Sequence, residues 1–449
     1  VESIPTEQST AETATSAAAV CSVAAGVDDL LIGRPLKNAV FDENGLLLLA
    51  EGCTITPEFK RLLKVRRVES VKLHPDDARD LVLNEDLIDD VDDTTFETAM
   101  TQNLDKVVDS GLLPVHNAGP AIRESMIDRR QEGYDAQRQE QFAARHTAAA
   151  SSLDSMIQMA SRNQTIDGTQ VGQLAAGCLA DLTEDGDNLL AVAMEAAKCG
   201  AAEQSLKTAV LAMALGAERE LDANNIRTIG ISGLVSDWGM VKIPERIRSA
   251  EHVLSSTEFL AIQQHPVYTL DILERISEIP RLVPLIAYQV HECPNGSGYP
   301  RGRSGRQIHP FAALLHVADI YVALTTPKPY RPALMPYAAL ECLLQMAGAG
   351  TADPRVVRTL MNTFSLFPIG SLVAISDGSV AKVIRRNGDQ YTSPIVQVIR
   401  NPDGDRIPPG RAEAIVDLAE SDLSVMQAVP RPGRNEIGLR PDIVSRPRR

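Results

Sequence analysis

The 449-residue sequence predicts a mainly α protein, with a helical domain flanked by a small N-terminal β-rich module and a small C-terminal β-module. Three observations predict it. Aromatic residues make up only 4% of the chain while Ala and Leu are abundant, which favours helix packing over a β-sandwich. From Gln137 onward apolar residues recur at helical spacing. Strand-like runs that turn at Asn44-Gly45 and at Asp377-Gly378 lie toward the two ends.

Taken in order, residues 1–28 are rich in Ser, Thr, Ala and Glu and read as a disordered tail with little to bury. Residues 29–77 read as the small β-rich module. It holds a hairpin from Asn38 to Ala50, a short helix from Thr56 to Lys64 and a strand from Glu69 to Leu73. Residues 78–136 read as an acidic linker with some helix. The aspartates from Asp86 to Asp93 lack the Gly and terminal Glu of a calcium loop, so a solvated, self-repelling segment is expected.

Residues 137–198 carry helical stripes, Met156, Met159 and Ala160 in one and Val171, Leu174, Ala175 and Cys178 in another. They read as helices packing on the core or forming a dimer contact, broken at Asp167-Gly168 and at Glu184 to Asp187. Residues 199–367 form the organised helical domain, with Pro266 interrupting a helix just after His265. Residues 368–429 read as a small antiparallel β-module of four or five strands. Residues 430–449, with six arginines and four prolines, read as a second disordered tail.

The net charge of −15 argues against general nucleic-acid binding, because no positive field exists to displace counterions. Six cysteines without a C-x-x-C pair fit reduced thiols, and no apolar run reaches the roughly 18 residues of a membrane helix. The expectation is a cytoplasmic protein without a membrane span.

One stretch stands apart: His291-Glu292-Cys293-Pro294-Asn295-Gly296-Ser297-Gly298-Tyr299-Pro300, following an apolar run from Leu282 to Val290. Its residues alone fit either a helix C-cap with a surface turn or a metal or phosphate site. The string resembles the signature loop of the HD-GYP family, His-His-Glu-x-x-Asp-Gly-x-Gly-Tyr-Pro. Ser236-Asp237-Trp238-Gly239-Met240 is similar to that family's His-Asp-x-Gly-Lys, and His265-Pro266 to its next ligand histidine. Asp319, within Ala318 to Thr325, resembles its last aspartate ligand, and Lys328-Pro329-Tyr330-Arg331 its Arg-Pro-Tyr-Arg. The resemblance covers roughly residues 200–365.

That resemblance implies an HD-superfamily helical domain of the metal-dependent phosphodiesterases that hydrolyse cyclic di-GMP in bacterial signalling. It implies Asp237, His265, His291 and Asp319 as metal ligands, with Asp237 also the candidate catalytic carboxylate. It further marks Asn295, Gly296, Gly298, Tyr299, Lys328 and Arg331 as contacts for a ligand or partner. Four positions depart from the pattern: Gln204, Ser236 and Val290 stand where histidines are expected, and Met240 replaces a lysine. A two-metal phosphodiesterase clamps the attacking and leaving oxygens between cations about 4 Å apart, and four ligands supply one cation rather than two.

The sequence therefore points to a divergent member with lost or weakened phosphodiesterase activity, acting as a regulatory or binding module. An active single-metal phosphodiesterase and a structural scaffold are the alternatives. One divalent metal, Fe or Mn, or none is expected, with a cyclic dinucleotide or a signalling protein as partner and a homodimer as the assembly. The residues alone leave the four groups open between metal ligands, hydrogen-bonded polar groups of a core, and the lining of a solvated cleft. His316, one turn before Asp319, is a further ligand candidate or a core histidine, while His252 and His309 are expected on the surface.

Overall fold

The computed structural model describes residues 22–438 apart from 28–29, 31–35, 54, 76, 79–97, 112, 130–131, 133–134, 196–199, 253, 329–330, 389, 409–410, 412–413, 433 and 435. The expected tails at 1–21 and 439–449 and the acidic run 86–93 lie outside the described residues, as do Pro329 and Tyr330. Two compact units divide the chain, one of residues 1–93 with 255–260 and one holding the rest.

The first unit is a four-stranded antiparallel sheet in the order β1-β4-β2-β3, from β1 (Val23–Gly26), β2 (Val40–Phe41), β3 (Leu47–Leu49) and β4 (Ser70–Leu73), with helix α1 (Pro57–Val65). Thr56 starts α1 by accepting the Phe59 N–H at 3.1 Å, with Pro57 pre-set for the first turn. Asp77 closes the unit, its carboxylate accepting the backbone N–H groups of Lys37 and Asn38 at 2.9 and 2.8 Å. The sequence reading placed 1–28 in a disordered tail, and the structure corrects this for Val23 to Gly26. Val23 to Gly26 pair with Ser70 to Leu73, burying Ala25 beside Val71. The residues are small, so their pattern is faint.

The second unit holds the helical domain. Its helices are α2 (Ala99–Asp109), α3 (Ala136–Ser161), α4 (Gly168–Glu195), α5 (Ala201–Glu218), α6 (Ala223–Val235), α7 (Glu245–Arg248), α9 (His265–Leu273), α10 (Val283–Gln289), α11 (Pro310–Thr325), α12 (Pro336–Gly348) and α13 (Pro354–Phe364), with α8 (Ser256–Gln263) running across the boundary between the units. Helix α5 is the axis: Ser205 to Ala217 are all buried, as expected of a helix apolar on every side. Helices α3, α4, α6, α11 and α13 pack around it. Helix α4 bends at Asp185, whose φ of −161° and ψ of 84° leave the helical region, inside the break expected from Glu184 to Asp187.

After α13 the chain forms a five-stranded antiparallel sheet in the order β10-β6-β7-β8-β9, from β6 (Leu372–Ile375), β7 (Val380–Arg385), β8 (Ile395–Arg400), β9 (Ile415–Asp417) and β10 (Val425–Val429). The expected disorder from Pro430 needs a correction. β11 (Glu436–Ile437) pairs in parallel with β5 (Ala333–Leu334), and Glu436 accepts the Arg431 backbone N–H at 3.1 Å. These two-residue strands fall below any sequence period.

His309, expected on the surface, is buried at 1% exposure. It caps α11, its Nδ1 accepting the Phe311 N–H at 3.1 Å just before Pro310, so it is held neutral. Burial pushes its pKa from the ordinary histidine value of about 6.5 down to about 4. The unfolded chain therefore takes up a proton between those values and the folded chain does not. Stability falls as pH drops from 6.5 toward 4, by at most about 3 kcal/mol from this group. His309→Asn keeps a capping oxygen and removes the titration. The stability difference between wild type and this variant should narrow or change sign across that window, and a constant difference would refute the assignment.

Candidate metal centre

Asp237, His265 and His291 come from three separate elements. Asp237 follows the C-terminus of α6, His265 opens α9, and His291 comes two residues after α10 ends. Gly239 lets the first two meet. A Cβ there would lie 2.0 Å from the His265 carbonyl and 2.6 Å from the Thr269 nitrogen, so only glycine allows α9 this close. The Gly239 N–H donates to the Thr269 hydroxyl at 2.9 Å, and that hydroxyl donates to the Ser236 carbonyl at 2.9 Å.

His265 Nδ1 donates to the Ile262 carbonyl at 2.7 Å, which leaves a lone pair on Nε2 in the neutral ring. That Nε2 lies 2.8 Å from His291 Nε2, and each is 3.5 Å from Asp237 Oδ1. One donor atom from each residue thus lies within 4.8 Å of the others. Burial alone would push the Asp237 carboxyl up. Its hydrogen bonds and charge interactions with the two imidazoles outweigh that and hold it well below the usual carboxylate range. Two imidazoles and a carboxylate aimed at one point could hold one divalent cation with coordination positions left open.

Asp319 on α11 lies on the other side of His291, its Oδ2 4.0 Å from Nδ1. The structure thus brings three of the four expected ligands to one point and sets the fourth beside the opposite ring nitrogen. His316 makes hydrogen bonds with the Val290 carbonyl at 2.8 Å and the Thr351 carbonyl at 3.1 Å, the core alternative for that residue.

The signature loop folds back onto this cluster. The Tyr299 N–H donates to the His291 carbonyl at 3.1 Å, and its buried ring lies with its centroid 5.0 Å from that of His291 and 6.1 Å from that of His265. Gly296 turns the chain at φ +81°, and Gly298 has to be glycine because a Cβ would meet the Cys293 nitrogen at 2.3 Å. The Asn295 Oδ1 accepts from the Ser297 N–H and hydroxyl at 3.0 and 2.7 Å, and Nδ2 donates to the Ala349 carbonyl at 3.2 Å. Arg331 donates to the Leu324 carbonyl at 3.2 Å at the end of α11. These contacts tie the loop and the Arg331 side chain to neighbouring backbone.

The departing positions have structural roles as well. Val290 is packed in the main core at 1% exposure. The Gln204 Oε1 accepts from Lys328 Nζ at 2.7 Å, Ser236 is buried, and Met240 is half-buried within the 3-10 turn from Trp238 to Lys242.

Sequence reasoning missed what holds the loop. Glu292 is buried and its two oxygens accept the backbone N–H groups of Arg301 and Arg303, each at 2.8 Å. Burial pushes its carboxyl up to about 8, against the pull of those N–H groups. The carboxylate two residues before Pro294 was the only local hint.

A helical bundle that converges histidines and an aspartate in this way has the layout of an HD domain, and residues 186–356 match the family model described as HD domain. The match begins at the bend of α4, inside the segment that sequence reading had set apart from the domain. This part of the chain matches an HD domain, and the same region is similar to proteins named as cyclic di-GMP phosphodiesterases. It is 30% identical over 195 residues to a cyclic di-GMP phosphodiesterase of Pseudomonas aeruginosa, covering 43% of this chain and 46% of that one. It is 26% identical over 197 residues to the cyclic di-GMP phosphodiesterase PdeB of Borreliella burgdorferi, covering 43% and 51%. The match thus spans about half the length of these curated relatives. Among solved structures, an HDG"Y"P protein from Bdellovibrio bacteriovorus aligns at 14% identity and a TM-score of 0.39, over 76% of this chain and 98% of that one. Among the described residues, no helix is long and apolar enough to cross a membrane.

Proposed function

We propose that this chain is a degenerate HD-GYP-type module of cyclic dinucleotide signalling, holding one divalent cation and hydrolysing its ligand weakly or not at all. The observation that carries the reading is the donor count at the site. Asp237, His265 and His291 converge within 4.8 Å, while Val290 fills core and Gln204 is bonded to Lys328. The residues that would hold the cation are those three. When bound, it would act as a Lewis acid toward a phosphoryl oxygen. The low pKa of Asp237 keeps that carboxylate anionic, and the Ile262 carbonyl fixes the tautomer of His265. The Tyr299 ring packs beside the histidine pair, its centroid 5.0 Å from that of His291.

Relatives named as cyclic di-GMP phosphodiesterases support a cyclic dinucleotide as ligand. Met240, where a lysine would serve the phosphate, supports weak turnover. The test is metal content of the purified protein by elemental analysis, with calorimetric binding and turnover of cyclic di-GMP in Mn²⁺ and in Fe²⁺. One metal per chain, saturable binding and turnover near background are expected. Two metals with sustained turnover would sink this reading in favour of an active enzyme. No metal and no binding would point to a scaffold.

A further inference from the structure

The segment preceding the HD domain reaches the signature loop. Helix α2 is set in register by a capping box in which Thr98 and Thr101 bond reciprocally, at 3.1 and 2.8 Å. It carries two adjacent stripes. Met100 and Leu104 pack on Val267 and Leu270 of the His265 helix and on Tyr288 of the helix that leads into His291. Asp105 and Asp109, also four residues apart, face the outgoing end of the loop. Asp105 pairs with Arg301 at 2.9 Å and with Arg303 at 3.1 Å, and Asp109 with Arg303 at 2.6 Å. These are the residues whose backbone N–H groups are fixed by Glu292, the neighbour of His291. Asp105, Arg301 and Arg303 are each less than one-fifth exposed, so the pairs are shielded from the screening that weakens surface ion pairs.

We propose that α2 is a clamp on the metal centre. Asp105, with Asp109, is a positioning residue that holds the Arg301–Arg303 segment against Glu292, and so keeps His291 facing His265 and Asp237. Displacing α2 would loosen the loop and lower cation affinity without touching a ligand. The segment N-terminal to the HD domain is thereby coupled to the site. The effect on affinity rests on the single-cation reading above, whereas the effect on the loop does not.

The experiment uses the full chain carrying Asp105→Asn with Asp109→Asn, with Asp105→Glu as the conservative variant. Amide hydrogen exchange is measured on metal-free protein, and Mn²⁺ binding separately. Exchange at Arg301 and Arg303 should accelerate at least tenfold while α5 and α6 stay protected, and Mn²⁺ affinity should fall on the order of 10-fold, the usual effect of losing an outer support of a ligand. Asp105→Glu should restore much of both. Unchanged exchange in the double variant would overturn the clamp, whatever the metal data. Faster exchange with unchanged Mn²⁺ affinity would overturn the positioning role. A wild type that binds no Mn²⁺ would defeat the single-cation reading and with it the positioning role, and the exchange data would still decide whether α2 holds the loop. If the double variant fails to fold, Arg303→Lys, which keeps the charge and loses the two-pronged contact, is read in the same two ways.

Discussion

Replacing Arg385 with alanine is expected to destabilise the helical unit by about 3–5 kcal/mol, the usual cost of breaking a buried ion pair on one side. Arg385 lies at the end of β7 and both of its terminal nitrogens contact Asp185, Nη2 at 3.0 Å from Oδ2. The Asp185 side chain is 1% exposed and sits where α4 leaves helical geometry. Its Oδ1 also accepts the Asn188 N–H at 3.1 Å and so restarts the helix, while Arg138 reaches Oδ2 at 3.4 Å. Without Arg385, Arg138 alone faces that carboxylate. Asp187, whose carboxyl is pushed up by burial, loses an arginine 3.9 Å away and keeps Arg386 at 3.7 Å. Arg385→Lys should fall between, because an ammonium cannot make the forked contact. Trp238, the only tryptophan, is buried next to Asp237 and reports unfolding of this unit by fluorescence in urea. A loss under about 1 kcal/mol would mean that the pair only offsets its own desolvation.

That pair shows why part of the molecule was not legible in the sequence. Its partners lie 200 residues apart, and the Arg303 contacts with Asp109 and Asp105 span 194 and 198. No local period or turn signal reports such pairings. Features written in neighbouring residues were legible. A helix break near Pro266 was legible, although it falls before His265, at Gln264, with Pro266 in the first turn of α9, and Asp377-Gly378 turns β6 into β7, with the Asp377 side chain accepting the Ser379 N–H at 2.8 Å. The signature string likewise carried its own geometry, since Gly298 and Tyr299 specify a loop folded against His291. The chemistry of its other residues was harder to read. Asn295, Lys328 and Arg331 have side chains suited to a ligand, yet each bonds within the chain. Val290 reads as a missing histidine in the sequence and as a filled core position in the structure. Short extended segments such as β1 and β11 depend on distant partners, so they left no period.

The second large effect is expected at the cluster itself. His291→Ala removes one of three converging donors and takes Asp319's neighbour away. Mn²⁺ affinity should fall by more than about 100-fold, beyond the 10–100-fold typical of losing an outer-shell partner. His265→Ala should match it, because its Nε2 is the nitrogen left available by the Ile262 hydrogen bond. Asp237→Asn should weaken binding too, as it replaces an anionic oxygen by a neutral one. Trp238 is next in sequence to Asp237, so its fluorescence provides a titration readout that needs no turnover. His309→Asn is the control: that ring is committed to capping α11, and the variant should bind Mn²⁺ as wild type does. The comparison separates two uses of a buried histidine. His309 accepts from a backbone N–H and is kept neutral by burial, so it sustains the fold. His265 and His291 turn their Nε2 atoms toward each other and an anionic carboxylate, an arrangement that a cation would stabilise and that a neutral apolar core would not. If His291→Ala bound Mn²⁺ as tightly as wild type, the three residues would be a hydrogen-bonded core cluster and the metal would lie elsewhere.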